Sequence, residues 1–232
     1  MKGILLAGGT GSRLDPLTRV TNKHLLPVYN KPMIYYPIET LKKLDCEEVL
    51  IISGGNHLGD ITRLLEDGSY FDIKFKYAVQ TKPDGIAGAL SLAEDFIHDD
   101  KSFYTILGDN IFLSDTKKTE KEHAIYVQQV KDAYRFGTYF RDKNLIIEKP
   151  KGINKGLCVT GLYKFTSIIF DYIKKLSPSN RGELEITDVN NYLLEVAKSK
   201  NNMDVLIVKN WYDAGTFSSL LRASKQAQKM ER

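Results

Sequence analysis

The chain has 232 residues, 42% hydrophobic and 27% charged, with a net charge of +4. That balance fits one large globular domain; it includes no apolar run long enough to span a bilayer and nothing like a nucleic-acid module with a basic stripe and stacking aromatics. Two cysteines, Cys46 and Cys158, are too few for a disulfide framework or a zinc site. With a strand starting by residue 3 and no room for a signal peptide, a cytoplasmic protein is expected.

The first strand, residues 3–7, runs straight into Gly8-Gly9-Thr10-Gly11-Ser12-Arg13-Leu14, and Lys23 follows. Backbone without side chains lets main-chain N–H groups approach phosphate oxygens, and two fixed cations can neutralise their charge. The dinucleotide fingerprint is excluded, because Leu14 stands where its third glycine belongs. A Walker A loop is excluded too, since no Gly-Lys-Ser/Thr triplet occurs. A helix over 32–44 is predicted next, with Pro32 in its first turn and Ile34, Pro37, Ile38 and Leu41 along one face. Strands at 48–53, 74–79 and 103–107 then alternate with helices at 58–65 and 86–97, the pattern of a parallel α/β sheet. Residues 8–13, 53–57, 80–85 and 108–110 fall at the carboxyl ends of strands, where such sheets bind ligands. All four loops are expected to meet in one crevice.

From about residue 124 the pattern becomes more antiparallel, with strands at 124–130, 137–140, 145–148 and 157–165. Helices follow at 168–176 and 186–198, a strand at 205–208, and a last helix beginning near Thr216, a suitable cap. No linker or repeat interrupts residues 1–232. A single domain is expected, with the glycine-loop half at about 1–123 and a second half at about 124–232 closing over it.

Asp109 ends the fourth strand and suits Mg²⁺, which binds through one or two carboxylates plus substrate phosphates. Asp213, in Trp211-Tyr212-Asp213-Ala214-Gly215-Thr216, is a candidate partner. Glu148-Lys149-Pro150 closes another strand; the proline favours an extended Lys149, so one of the pair is expected to face the site and the other solvent. Glu185 and Asp188 suit the first turn of the 186–198 helix, which leaves Arg181 and Glu183 without an explanation of that kind. The four histidines have no ligand spacing. No general base is needed if the nucleophile is an ionised phosphate.

These motifs, in order along nearly the whole chain, resemble the sugar-1-phosphate nucleotidyltransferases. They include Leu6 to Leu14, Lys23-His24-Leu25-Leu26-Pro27, Gln80, Pro83-Asp84-Gly85, Gly108-Asp109-Asn110, Glu148-Lys149-Pro150 and the segments around Arg181 and Asp213. The resemblance implies a Rossmann-like mixed, mainly parallel sheet flanked by helices, with a smaller β-rich sugar-binding part. The halves become a nucleotide-binding and a sugar-phosphate-binding half. The implied reaction is transfer from dTTP to α-D-glucose 1-phosphate with Mg²⁺, giving dTDP-glucose and pyrophosphate, the opening step of dTDP-rhamnose and other deoxysugar synthesis.

By the same resemblance Arg13, Lys23 and Asp109 are catalytic, and Asp109 with Asp213 holds the metal. Leu6, Gly8, Gly11 and Ser12 line the nucleotide, while Gln80 and Gly85 read the base. Asn110, Gly137, Glu148, Lys149 and Val159 contact the sugar phosphate. A homo-oligomer is implied. His24 stands where many members carry glutamine. UTP or CTP, or another sugar 1-phosphate, remains an alternative for the same chemistry, because glutamine hydrogen-bonds uracil and thymine alike. A catalytically silent nucleotide-sugar sensor is the rival from another class, and the joint presence of Arg13, Lys23, Asp109 and Asp213 argues against it.

Overall fold

Five of the six residues of strand β1 (Lys2–Ala7) are buried, and β1 runs through the middle of the main sheet. The computed structural model describes residues 1–98, 102–197 and 199–231. After β1 come the short strands β2 (Pro27–Val28) and β3 (Lys31–Pro32), helix α1 (Tyr35–Lys43), β4 (Glu48–Gly54), α2 (Leu58–Leu65) and β5 (Lys74–Gln80). Helices α3 (Ile86–Ser91) and α4 (Glu94–Ile97) lead to β6 (Phe103–Leu107) and β7 (Asn110–Phe112). The second half holds β8 (His123–Val130), β9 (Gly137–Phe140), β10 (Leu145–Glu148), β11 (Gly156–Phe165), α5 (Ile168–Ile173) and α6 (Ile186–Val196). It ends with β12 (Met203–Ile207), β13 (Trp211–Asp213) and α7 (Phe217–Met230).

The main sheet runs β10-β9-β11-β6-β1-β4-β5, with β8 on β11 and β12 on β8. Strands β6, β1, β4 and β5 are mutually parallel, whereas β11 pairs antiparallel with β6, β8 and β9. This is the expected α/β architecture, a mixed sheet flanked by helices. Strand alternation explains its two cores. Ile4 and Leu6 pack with Leu90, Ile169 and Leu193 on one face; Leu5 and Ala7 pack with Ile38, Leu41 and Ile61 on the other.

Four local expectations change. Pro32 does not open α1, because residues 31–32 pair with 27–28 instead. It is Pro37 that occupies the helix's first turn, where a missing N–H costs nothing. The 86–97 helix is two pieces, since Leu92 and Ala93 bond back only three residues, to Ala89 and Leu90. Lys149 is not extended but left-handed, with φ 46°. The short ladder of β7 on β13 is new. Helix α6 ends at Val196, and Lys198 lies outside the described residues.

Candidate active site

A cavity of about 630 Å³ opens at the carboxyl ends of the parallel strands. Gly8, Gly9 and Arg13 reach it from the loop after β1, Gln80 and Gly85 from the loop after β5, and Asp109 and Asn110 from the segment after β6. Residues 53–57 do not contribute. Ser53 is buried and donates its hydroxyl to the Ala7 carbonyl at 3.2 Å, and the chain then turns away into α2. Three of the four expected loops therefore converge.

The ladder of β7 on β13 brings the two aspartates together. Asp213 registers opposite Asn110, and the Ala214 N–H donates to the Asp109 carbonyl at 2.9 Å. Gly215 stands between the charged groups. A Cβ placed on it would lie 2.9 Å from an Arg13 guanidinium nitrogen, 3.0 Å from Asp213 Oδ1 and 3.4 Å from Asp109 Oδ2. Gly215→Ala is expected to push the flexible end of Arg13 aside, keeping the thermal midpoint near wild type while turnover falls roughly 10- to 100-fold, as for a misplaced reacting group. Unchanged turnover in that variant would refute the placement of Arg13.

Lys23 Nζ lies 2.5 Å from Asp109 Oδ2, with both side chains largely buried. Burial alone would raise the Asp109 pKa, but the Lys23 charge and hydrogen bonds from Lys23 and Asn110 hold it well below the usual carboxylate range. Asp213 moves the other way, raised by burial and then by repulsion from Asp109, with Arg13 opposing. Arg135 also donates to Asp213, at 3.3 Å. Asn110 is a brace as well as a lining residue. Its Oδ1 accepts from Trp211 Nε1 at 2.6 Å and from the Gly161 N–H at 3.0 Å, while its Nδ2 donates to Asp109.

Gly137, Glu148, Lys149 and Val159 also line the cavity. Glu148 and Lys149 both face it, against the expected alternation, because the left-handed Lys149 turns the chain. Glu148 accepts from the Thr187 hydroxyl at 2.7 Å, and Arg181 stands 3.5 Å away. A side chain on Gly137 would meet both Glu148 and Thr187, at 3.2 and 3.3 Å. Leu6 lines the wall, whereas Gly11 and Ser12 stand outside it. Gly11 instead shapes the loop: its φ of 65° and the Leu14 N–H bonded to its carbonyl start the tight turn that carries Arg13.

Arg181, Glu185, His24 and Asn190 line the cavity as well, and of these Asn190 escaped the sequence reading. Arg181, which the helix dipole left unexplained, forms a bidentate ion pair with Glu185 at the N-cap of α6. Asn190 is 1% exposed, lines the cavity and leaves Oδ1 without a partner. His24, also lining it, donates from Nδ1 to Asn22 Oδ1. Burial first, and then Lys23, pull the His24 pKa down to about 3.

The unfolded chain takes up this proton near pH 6.5 but the folded one refuses it, so stability falls as pH drops from there towards 3. The loss is at most about 1.4 kcal/mol per pH unit from this group. His24→Gln is expected to flatten the pH dependence of the denaturation midpoint between pH 6.5 and pH 4. An equal slope in wild type and variant would contradict the assignment.

The model of the nucleotidyl transferase family matches residues 2–230. The chain belongs to the nucleotidyl transferase family. A glucose-1-phosphate thymidylyltransferase of Neisseria meningitidis serogroup A is 41% identical, over 100% of this chain and 84% of the relative. A Bacillus anthracis protein described as a glucose-1-phosphate thymidylyltransferase, solved in complex with sucrose, superposes with a TM-score of 0.89 at 45% identity. That match covers 98% of this chain and 95% of the other. A UDP-glucose pyrophosphorylase at 21% identity and TM-score 0.81, covering 100% of this chain and 99% of its own, shares the fold. The chain is thus a nucleotidyltransferase. Among the described residues no helix is long and apolar enough to cross a membrane.

Proposed function

We propose that this nucleotidyl transferase moves the thymidylyl group of dTTP to glucose 1-phosphate, releasing pyrophosphate. The observation that carries the reading is the set of side chains lining one cavity. Gln80 and Gly85, Glu148 and Lys149, and two cations with two carboxylates all line it. The relatives' names supply the substrates, and the cationic and carboxylate lining suits phosphorylated ligands.

An oxygen of the sugar phosphate attacks the α-phosphorus, and the bond from that phosphorus to the oxygen bridging to the β-phosphorus breaks. The nucleophile arrives ionised, so the protein's work is positioning and charge stabilisation. Lys23 offers positive charge at the pentacoordinate centre. Arg13, on its tight turn, meets the departing pyrophosphate.

Asp109 and Asp213 fit Mg²⁺. They are oxygen donors gathered around the bare backbone of Gly215, and their mutual repulsion is what a divalent cation relieves. Among the described residues no third acidic, histidine or cysteine ligand joins them, as suits an ion that completes its shell with phosphate oxygens and water. When bound, Mg²⁺ neutralises phosphate charge and polarises the reacting phosphoryl group.

Asn190 Oδ1, buried and unpartnered, is placed to accept a sugar hydroxyl. Asn190→Ala is expected to raise KM for glucose 1-phosphate about tenfold, the worth of one hydrogen bond, with little change in KM for dTTP. Equal KM shifts for both substrates would count against it. The function itself is tested by pyrophosphate release over a matrix of nucleoside triphosphates and sugar 1-phosphates with Mg²⁺. Release with dTTP and glucose 1-phosphate is expected; silence across the matrix would favour a sensor.

A further inference from the structure

Resting on the proposed dTTP reading, we propose that Asp84 is a positioning residue that fixes the orientation of the Gln80 amide and so makes the site select thymine and uracil over cytosine. Asp84 is not part of the cavity wall; it stands behind Gln80, whose Nε2 donates to Asp84 Oδ1 at 3.0 Å. A carboxylate accepts hydrogen bonds and does not donate them, so the NH₂ end of Gln80 must face it. The carbonyl end is thereby turned the other way. A Cβ on Gly8, which lines the cavity, would lie 2.6 Å from Gln80 Oε1.

Asp84 is itself held firmly. Its carbonyl accepts the Leu184 N–H at 2.7 Å. Its carboxylate occupies space that only a glycine at position 88 leaves open, since a Cβ there would lie 2.3 Å from Oδ1. Gly85, with φ 98°, passes so close to Leu184 that a Cβ would lie 2.6 Å from its carbonyl oxygen. The segment therefore has little freedom to follow a rotating Gln80.

The consequence lies in the base edges. Thymine and uracil present a ring N–H between two carbonyl oxygens, which pairs with an outward Oε1 and with the second hydrogen on Nε2. Cytosine presents a ring nitrogen acceptor beside an amino donor, the reverse pattern. To bind it Gln80 must flip, and flipping sets Oε1 against Asp84 Oδ1, two acceptors at hydrogen-bonding distance. Specificity thus comes from a repulsion against the wrong base as well as an attraction to the right one.

The test is the ratio of kcat/KM for dTTP to that for dCTP, each with glucose 1-phosphate and Mg²⁺. Asp84→Asn is isosteric but offers a donor and an acceptor, so either Gln80 orientation is satisfied. The ratio is expected to fall about tenfold or more, the scale of one charge-assisted hydrogen bond. A structural role alone would lower both rates together and leave the ratio unmoved. Gly88→Ala, which displaces the carboxylate while keeping the acid, is expected to narrow the ratio in the same direction and serves if Asp84→Asn does not fold. An unchanged ratio in the folded variant, with wild type active on dTTP, overturns the role of Asp84 and leaves the dTTP reading standing. A wild type that ignores dTTP overturns both.

Discussion

Replacing Lys23 by methionine is expected to abolish measurable turnover and to cost about 3–5 kcal/mol of stability, the price of leaving a buried charge without its partner. The pair is 2.5 Å apart, with side chains 14% and 10% exposed, so solvent screens it little. In the wild type the depressed Asp109 pKa adds stability that is complete above the unfolded value near 3.8 and is lost as pH falls through the folded one. Without Lys23, burial becomes the dominant influence and the Asp109 pKa rises. The variant should therefore gain stability on mild acidification, where the wild type does not. Adding Asp109→Asn to Lys23→Met is expected to return most of the stability and none of the activity, a non-additivity diagnostic of direct contact. Urea denaturation at pH 7 and pH 5 reads all three chains. A Lys23→Met midpoint equal to wild type at pH 7 would show that Asp109 does not depend on Lys23.

Arg13→Ala is expected to behave differently. Arg13 is exposed on its turn, so its loss should move the thermal midpoint by less than about 1 kcal/mol of stability, the ordinary range for surface substitutions. Turnover, in contrast, should fall about 10²–10³-fold, the scale of losing one electrostatic stabiliser of the transition state. Arg13→Lys keeps the charge without the planar fork and should fall between the two. Single-turnover measurements separate chemistry from release. A near-normal chemical step in Arg13→Ala would remove Arg13 from the leaving-group role.

Much of this site was legible because its signals are local. The buried run of β1 followed by Gly8-Gly9-Thr10-Gly11 shows both the strand and the loop in a dozen residues, and the strand-end positions of Gln80 and Asp109 follow from the βαβ pattern. The meeting of Asp109 with Asp213 was guessed from residue type but rests on the three-residue ladder of β7 and β13, too short to leave a period in the sequence.

Pro32 misled for a related reason: a proline just before an apolar face reads as a helix start, while the two-residue pairing that claims it is invisible locally. The same limit hid Asn190 and Thr187. They sit at the start of a helix whose amphipathic pattern explains its buried face without saying what that face meets. Only the fold shows that it meets a cavity.

The most direct measurement follows the α-phosphate. With dTTP labelled at the α-phosphorus, glucose 1-phosphate and Mg²⁺, label is expected in a nucleotide sugar resistant to phosphatase, together with one unlabelled pyrophosphate per transfer, and both should disappear in Asp109→Asn. Label appearing as dTMP, or dTTP left intact while glucose 1-phosphate is present, would contradict the assignment of this cavity to thymidylyl transfer.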